Sequence, residues 1–211
     1  MTSLLVPSPS FRAVGLIFFC AGAAVAAPRT YAVDESQSSA RAHVGKTGIA
    51  SFAGHEHVIL AQRMQGEIVF DGERFGNSSV EVTVDARSLK VQEKGEPEGD
   101  APKVQEAMRG KGQLDVAQYT AVRFRSTNVI GRQTGANTCE LSVAGELTLH
   151  GAKRLLTVPI QLELRGDQLI ATGKLTVKLT DFGVEPTSAA GGLVKVENDV
   201  PIDFRFVGHA R

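Results

Sequence analysis

The chain has 211 residues, 42% of them apolar and 22% charged, with 23 basic side chains balanced by 23 acidic ones. These proportions belong to a soluble globular domain and exclude a disordered, collagen-like or multi-span membrane chain. Zero net charge and the lack of a basic run leave no electrostatic footprint for nucleic acid. Two cysteines, Cys20 and Cys139, exclude a disulfide framework and a multi-cysteine metal cluster.

The first element is an address. Arg12 is followed by the apolar or small run AVGLIFFCAGAAVAA, Ala13 to Ala27. Its length of about 15 residues is too short to span a bilayer comfortably as a helix. The run contains an A-x-A cleavage pattern, Ala24-Val25-Ala26. We read residues 1–26 as a secretory signal peptide cleaved near Ala26, and 27–211 as one domain placed in the periplasm or secreted. A buried core helix would show an amphipathic stripe, and this run has none. Lipidation at Cys20 is disfavoured by the bulky Phe19 before it. The mature chain then keeps Cys139 as a small, half-buried hydrophobe rather than a reactive thiol, and no transmembrane span.

The rest of the chain has a period of two. Val80, Val82 and Val84 alternate with Glu81, Thr83 and Asp85. Residues 91–99 are charged and turn-rich, a surface loop. Asp100 is expected to cap a short helix through Met108, with Pro102 in its first turn and Val104, Ala107 and Met108 on one apolar face. Gly110 and Gly112 end it. Alternation resumes from Leu141 to Leu149, Leu156 to Leu164, Leu169 to Leu179 and, as one run, Val194 to Phe206. Successive strand side chains point to opposite faces, so each run has one apolar and one wet face, the pattern of antiparallel strands. Asp71-Gly72, Gly76-Asn77, residues 135–137 and Gly166-Asp167 supply the turns. Pro159 interrupts a strand and points to an edge or a bulge. His209 falls in an expected solvated tail. A sheet with one apolar face must bury that face on itself, as a sandwich or a closed barrel. A barrel of about eight strands either fills with side chains or holds one small ligand.

Chemistry is sparse. The chain has no nucleophile elbow, phosphate loop, zinc helix or C-x-x-C pair. The one constellation is His55-Glu56-His57 after Gly54. In an extended chain His55 and His57 point to the same side, toward one metal ion, one polar ligand head, or solvent. A metal site needs a third and usually a fourth ligand, and nothing in the sequence brings the spare histidines His43 and His150 nearby.

A family resemblance is carried by five motifs in order. Tyr31-Ala32-Val33-Asp34 opens it. GEIVFDG (Gly66 to Gly72) followed by SSVEVTVDARSL (Ser78 to Leu89) forms a hairpin and the next strand. LDVAQYTAVRFRST (Leu114 to Thr127) carries Thr120 where proline is usual. GELTLHGAKRLLTVPIQL (Gly145 to Leu162) and KLTVKLTDFGVEP (Lys174 to Pro186) complete the set. From Tyr31 to Gly208 the chain resembles the YceI-like family of exported, lipocalin-like proteins associated with polyisoprenoid binding. The Gly54-His55-Glu56-His57-Val58 element fits a subset of that family rather than its commonest form.

The resemblance implies an all-β, antiparallel lipocalin-like barrel with one short helix and an apolar central pocket, often as a homodimer. It supplies no catalytic residues, so the expectation is a non-enzymatic protein that needs no cofactor and takes an isoprenoid or another long-chain amphipathic lipid. Inward candidates for that ligand are Phe52, Ile68, Phe70, Val82, Phe124, Leu147, Leu149 and Val177. Burying ten methylene-sized groups contributes about 8 kcal/mol at about 0.8 each. That matches a Kd of roughly 1 μM before ordering costs, so an apolar tunnel suffices without a dedicated charge. Two other readings stay open: a metal or polar-ligand module built on His55 and His57, and an interaction protein with a filled barrel.

Overall fold

Residues 27–47, 56–94, 97–189 and 194–211 are described by the computed structural model. In chain order they form β1 (Arg29–Val33), β2 (Ser39–Val44), β3 (Lys46–Thr47), β4 (His57–Leu60), β5 (Met64–Phe70), β6 (Ser79–Asp85) and β7 (Lys90–Val91). Then come α1 (Asp100–Arg109), β8 (Ala121–Gly135), β9 (Thr138–Leu149), β10 (Ala152–Arg165), β11 (Gln168–Lys178), β12 (Ser188–Ala189), β13 (Val194–Val196) and β14 (Asp199–Ala210). The signal-peptide reading, Cys20, Phe52 and His55 all lie outside the described residues.

Eight strands close on themselves in the order β1-β5-β6-β8-β9-β10-β11-β14, with β1 pairing back onto β14. Every pairing is antiparallel. Closure removes the sheet edges and turns the apolar face of each alternating strand inward. β14 serves two partners in turn. Its Gly208–Ala210 end pairs with β1, and its Ile202–Arg205 stretch pairs with β2. β4 and β7 extend β2 as a flap. The inner face of the flap is covered by α1, where Ala101, Val104 and Met108 meet Ile59 and Val91.

Curvature is accommodated by glycines on the inner face. A Cβ at Gly145 would overlap the Phe124 ring, and one at Gly173 the Phe204 ring. Each ring therefore lies flat against a neighbouring strand. The far end of the barrel is filled by Tyr31, Phe70, Val129, Leu162 and Leu169, with Cys139 among them. Burial raises the Cys139 thiol above its ordinary pKa, in keeping with its reading as a small hydrophobe.

Three local expectations are corrected, and that of an edge position for Pro159 holds on one side of its strand. Asp100 does not cap α1. Gly99 occupies the cap position at φ 75°, and Asp100 is the first helical residue, where its charge still favours the positive end of the helix. The Val194 to Phe206 run is two strands, because Asn198 turns the chain and its side chain exchanges hydrogen bonds with the Thr180 backbone and hydroxyl. β13 joins β12 and β3 in a separate small sheet. Pro159 sits in a strand paired on both sides of the barrel, at the point where two strands part. The β10–β11 ladder ends at Ile160↔Gly173, one residue short of it, so its missing N–H costs no rung on that side. His209 belongs to β14, where its Nε2 lies 3.2 Å from Asp34 Oδ2, and is not a loose tail.

Candidate functional site

The barrel interior holds a cavity of about 430 Å³, within the range of roughly 300–1,000 Å³ usual for small-molecule sites. Its walls are almost wholly apolar. Seven of the expected inward residues line it. Val82 on β6, Phe124 on β8 and Leu147 on β9 stand side by side in register. Ile68 and Phe70 on β5, Leu149 on β9 and Val177 on β11 complete the seven.

Sequence reasoning missed the part of the wall made by the flap and helix. Ala42 and Val44 on β2, and Val104, Ala107 and Met108 on α1, also line the cavity. The alternation of β14 did hold the signal for Ile202, Phe204 and Phe206, which line it too. β2 carried no such signal, because its inner positions are small and its outer ones include Arg41 and His43.

His57 is 8% exposed and lies on the inner face of β4, opposite Val44, as part of the cavity wall. Whether it shares a ligand with His55 falls outside the described residues. Among the described residues no group of three His, Cys, Asp or Glu side chains is placed to hold a metal ion. The two spare histidines are used elsewhere. His150 Nδ1 bonds the Phe182 carbonyl at 3.1 Å. His43 lies on the outer face, with Nδ1 2.6 Å from Glu56 Oε1 and Nε2 2.6 Å from Asp203 Oδ1. Asp203 also faces Arg41 Nη1 at 3.8 Å. The carboxylates of Asp203 and then Glu56 raise the His43 pKa above its ordinary value. The clamp ties β14, β2 and the residue before His57 together.

The YceI-like domain profile matches residues 31–208. The chain belongs to the YceI-like family. Among curated relatives, a UPF0312 protein of Vibrio cholerae is 28% identical over 134 residues, covering 61% of this chain and 65% of its own length. One from Vibrio parahaemolyticus is 27% identical over 138 residues, 63% of this chain and 66% of its own. The match thus spans about two thirds of each relative. Among solved structures, Burkholderia cenocepacia BcnA superposes with a TM-score of 0.64 at 21% identity, covering 83% of this chain and 98% of its own. A polyisoprenoid binding domain from Saccharophagus degradans, implicated in plant cell wall breakdown, gives 0.62 at 16% identity, covering 86% and 98%. At these identities the likeness shows the fold, an antiparallel YceI-like barrel. No helix among the described residues is long and apolar enough to cross a membrane.

Proposed function

We propose that this YceI-like protein is an exported binding protein, not an enzyme, that holds an isoprenoid or another long-chain amphipathic lipid inside its barrel for carriage or sequestration. The observation that carries the reading is the cavity itself: a closed barrel keeps about 430 Å³ open and walls it with apolar side chains. Such a wall favours hydrocarbon through burial alone. The hollow interior argues against the filled-barrel alternative. The polyisoprenoid binding described for the Saccharophagus degradans domain lends support to the same ligand class. Export to the periplasm or beyond rests on the apolar leader ending near Ala26.

The test is to fill the cavity from its wall. Val82 is buried between Phe124 and Gly66 in register, so Val82→Trp projects an indole into the lumen. The variant is expected to keep its β-sheet circular dichroism and to lose lipid uptake by at least tenfold. A folded variant with unchanged uptake would refute the site.

A further inference from the structure

We propose that residues 179–183, with the Phe182 ring, form a gate in the barrel wall: the segment closes a split between β10 and β11 and moves aside to let ligand into and out of the cavity. The inference rests on the lipid-binding reading above and adds a route of entry, whichever lipid is carried.

The split comes from the ladder. β10 pairs with β9 from Ala152 to Glu163, and β11 pairs with β14 from Gln168 to Lys178, so each strand is held along its length on one side. Across the seam between them the rungs run only from Arg165↔Gln168 to Ile160↔Gly173. Residues 152–159 of β10 and 174–178 of β11 have no ladder partner across it. Pro159 stands where the next rung would form and has no N–H to give it. Where a ladder is complete, opening the wall breaks a hydrogen bond at each rung; along this stretch it breaks none.

Side chains fill the split. Phe182, 3% exposed, packs with Leu147 of β9 and Val177 of β11, and Leu156 of β10 and Leu175 of β11 join the same cluster. Leu147, Val177 and Leu175 line the cavity, as do Leu179 and Val184 on either side of Phe182 in the chain. Over the ring lies the exposed Arg154, its guanidinium carbon 6.0 Å from the ring centroid. One aromatic side chain therefore joins the cavity wall to the surface.

The segment has a hinge side and a latch side. Toward β14 it is fixed: Leu179 N donates to Asn198 O at 2.9 Å, Thr180 N to Asn198 Oδ1 at 3.0 Å, and Asn198 Nδ2 to Thr180 Oγ1 at 3.0 Å. Toward β10 its hold is slighter. His150, in the β9–β10 turn, donates from Nδ1 to the Phe182 carbonyl at 3.1 Å, and Arg154 covers the ring. Gly183 ends the 3₁₀ turn Leu179–Phe182 at φ 71°, a conformation glycine adopts without strain. A short segment anchored on one side and latched on the other is the kind of unit that opens locally while the sheet stays folded.

The experiment is stopped-flow binding of the fluorescent apolar dye N-phenylnaphthylamine to the full mature protein, with association and dissociation rates read separately. His150→Phe keeps a ring against Tyr119 and removes the latch donor, at a residue that does not line the cavity. It is expected to raise both rates by up to about tenfold, the effect of one hydrogen bond lost from the closed state, with Kd changed by less than about twofold. Phe182→Ala is expected to raise both rates further. Leu169→Ala, in the packed end of the barrel, is expected to leave both rates near those of the wild type. Rates unaltered by both gate variants, affinity lost through dissociation alone, or equal acceleration by Leu169→Ala would each overturn the gate and leave the lipid-binding reading standing. Wild type that takes up neither the dye nor an isoprenoid alcohol would overturn both. If Phe182→Ala fails to fold, His150→Phe still decides.

Discussion

His43 has a carboxylate against each ring nitrogen, and only the imidazolium can donate to both. Its pKa is raised in the folded chain by Asp203 first and Glu56 second, so the clamp is fully in force below the unfolded value near about 6.5. Its contribution is lost as pH rises through the higher folded value. Urea unfolding of the wild type at increasing pH is expected to show a fall in stability on the alkaline side of neutrality that His43→Gln lacks; the same fall in both would remove the clamp. Asp34 works with the opposite sign. Ser36 Oγ and N donate to it at 2.6 and 2.9 Å and Gln37 Nε2 at 2.7 Å, which lowers its pKa to about 2. Asp71, buried in the β5–β6 turn, accepts from Asn77 Nδ2 and from the Glu73 and Arg74 amides, and its pKa is lowered as well. Both carboxylates stabilise the fold above the unfolded value near about 3.9, and that contribution disappears as pH falls through the folded values. Asp34→Asn with Asp71→Asn is expected to flatten the acid limb of the unfolding profile. An unchanged acid midpoint would contradict this assignment. The role of His43 was not legible in the sequence, because it depends on a partner that only the closed sheet brings to it: Asp203 lies 160 positions from His43.

At the scale of elements, alternation located β6, β9, β10 and β11 because each is long, half-wet and interrupted by Gly or Asp turns. It misread the stretch from Val194 to Phe206 because a period of two does not register a change of sheet. The turn signal there, Asn198-Asp199, is only two residues long. It underdetermined β2, β4 and β7, whose short runs sit in a flap covered by a helix. The helix was legible from its apolar face, but its start was not: Gly99 supplies a left-handed cap at φ 75° rather than a side-chain cap. Gly99→Ala is therefore expected to cost about 1 kcal/mol in denaturant unfolding, the penalty for placing a Cβ in that region. A neutral or stabilising result would mean that the α1 entry does not require the glycine.

For the whole molecule, closure separates two kinds of apolar residue that look alike in sequence. Leu169 is fully buried in the packed end of the barrel and does not line the cavity, whereas Val82 and Phe124 do. Leu169→Ala is expected to cost about 2–5 kcal/mol of stability by cavity formation with lipid uptake unchanged at temperatures where the variant is folded. Val82→Trp is expected to do the reverse. A common effect of both on uptake would mean that the lumen is not the binding site. Seven inward residues were readable from alternation together with the family resemblance. The contribution of α1 and the flap was not, because it depends on β14 pairing with β1 and β2 in turn. The most direct test of the account is to purify the mature protein from its native compartment, extract it with organic solvent and identify the bound molecules by mass spectrometry. One equivalent of an isoprenoid or another long-chain amphipathic lipid is the predicted result. Protein that carries no lipid, and takes none up when isoprenoid alcohols are offered, would contradict it.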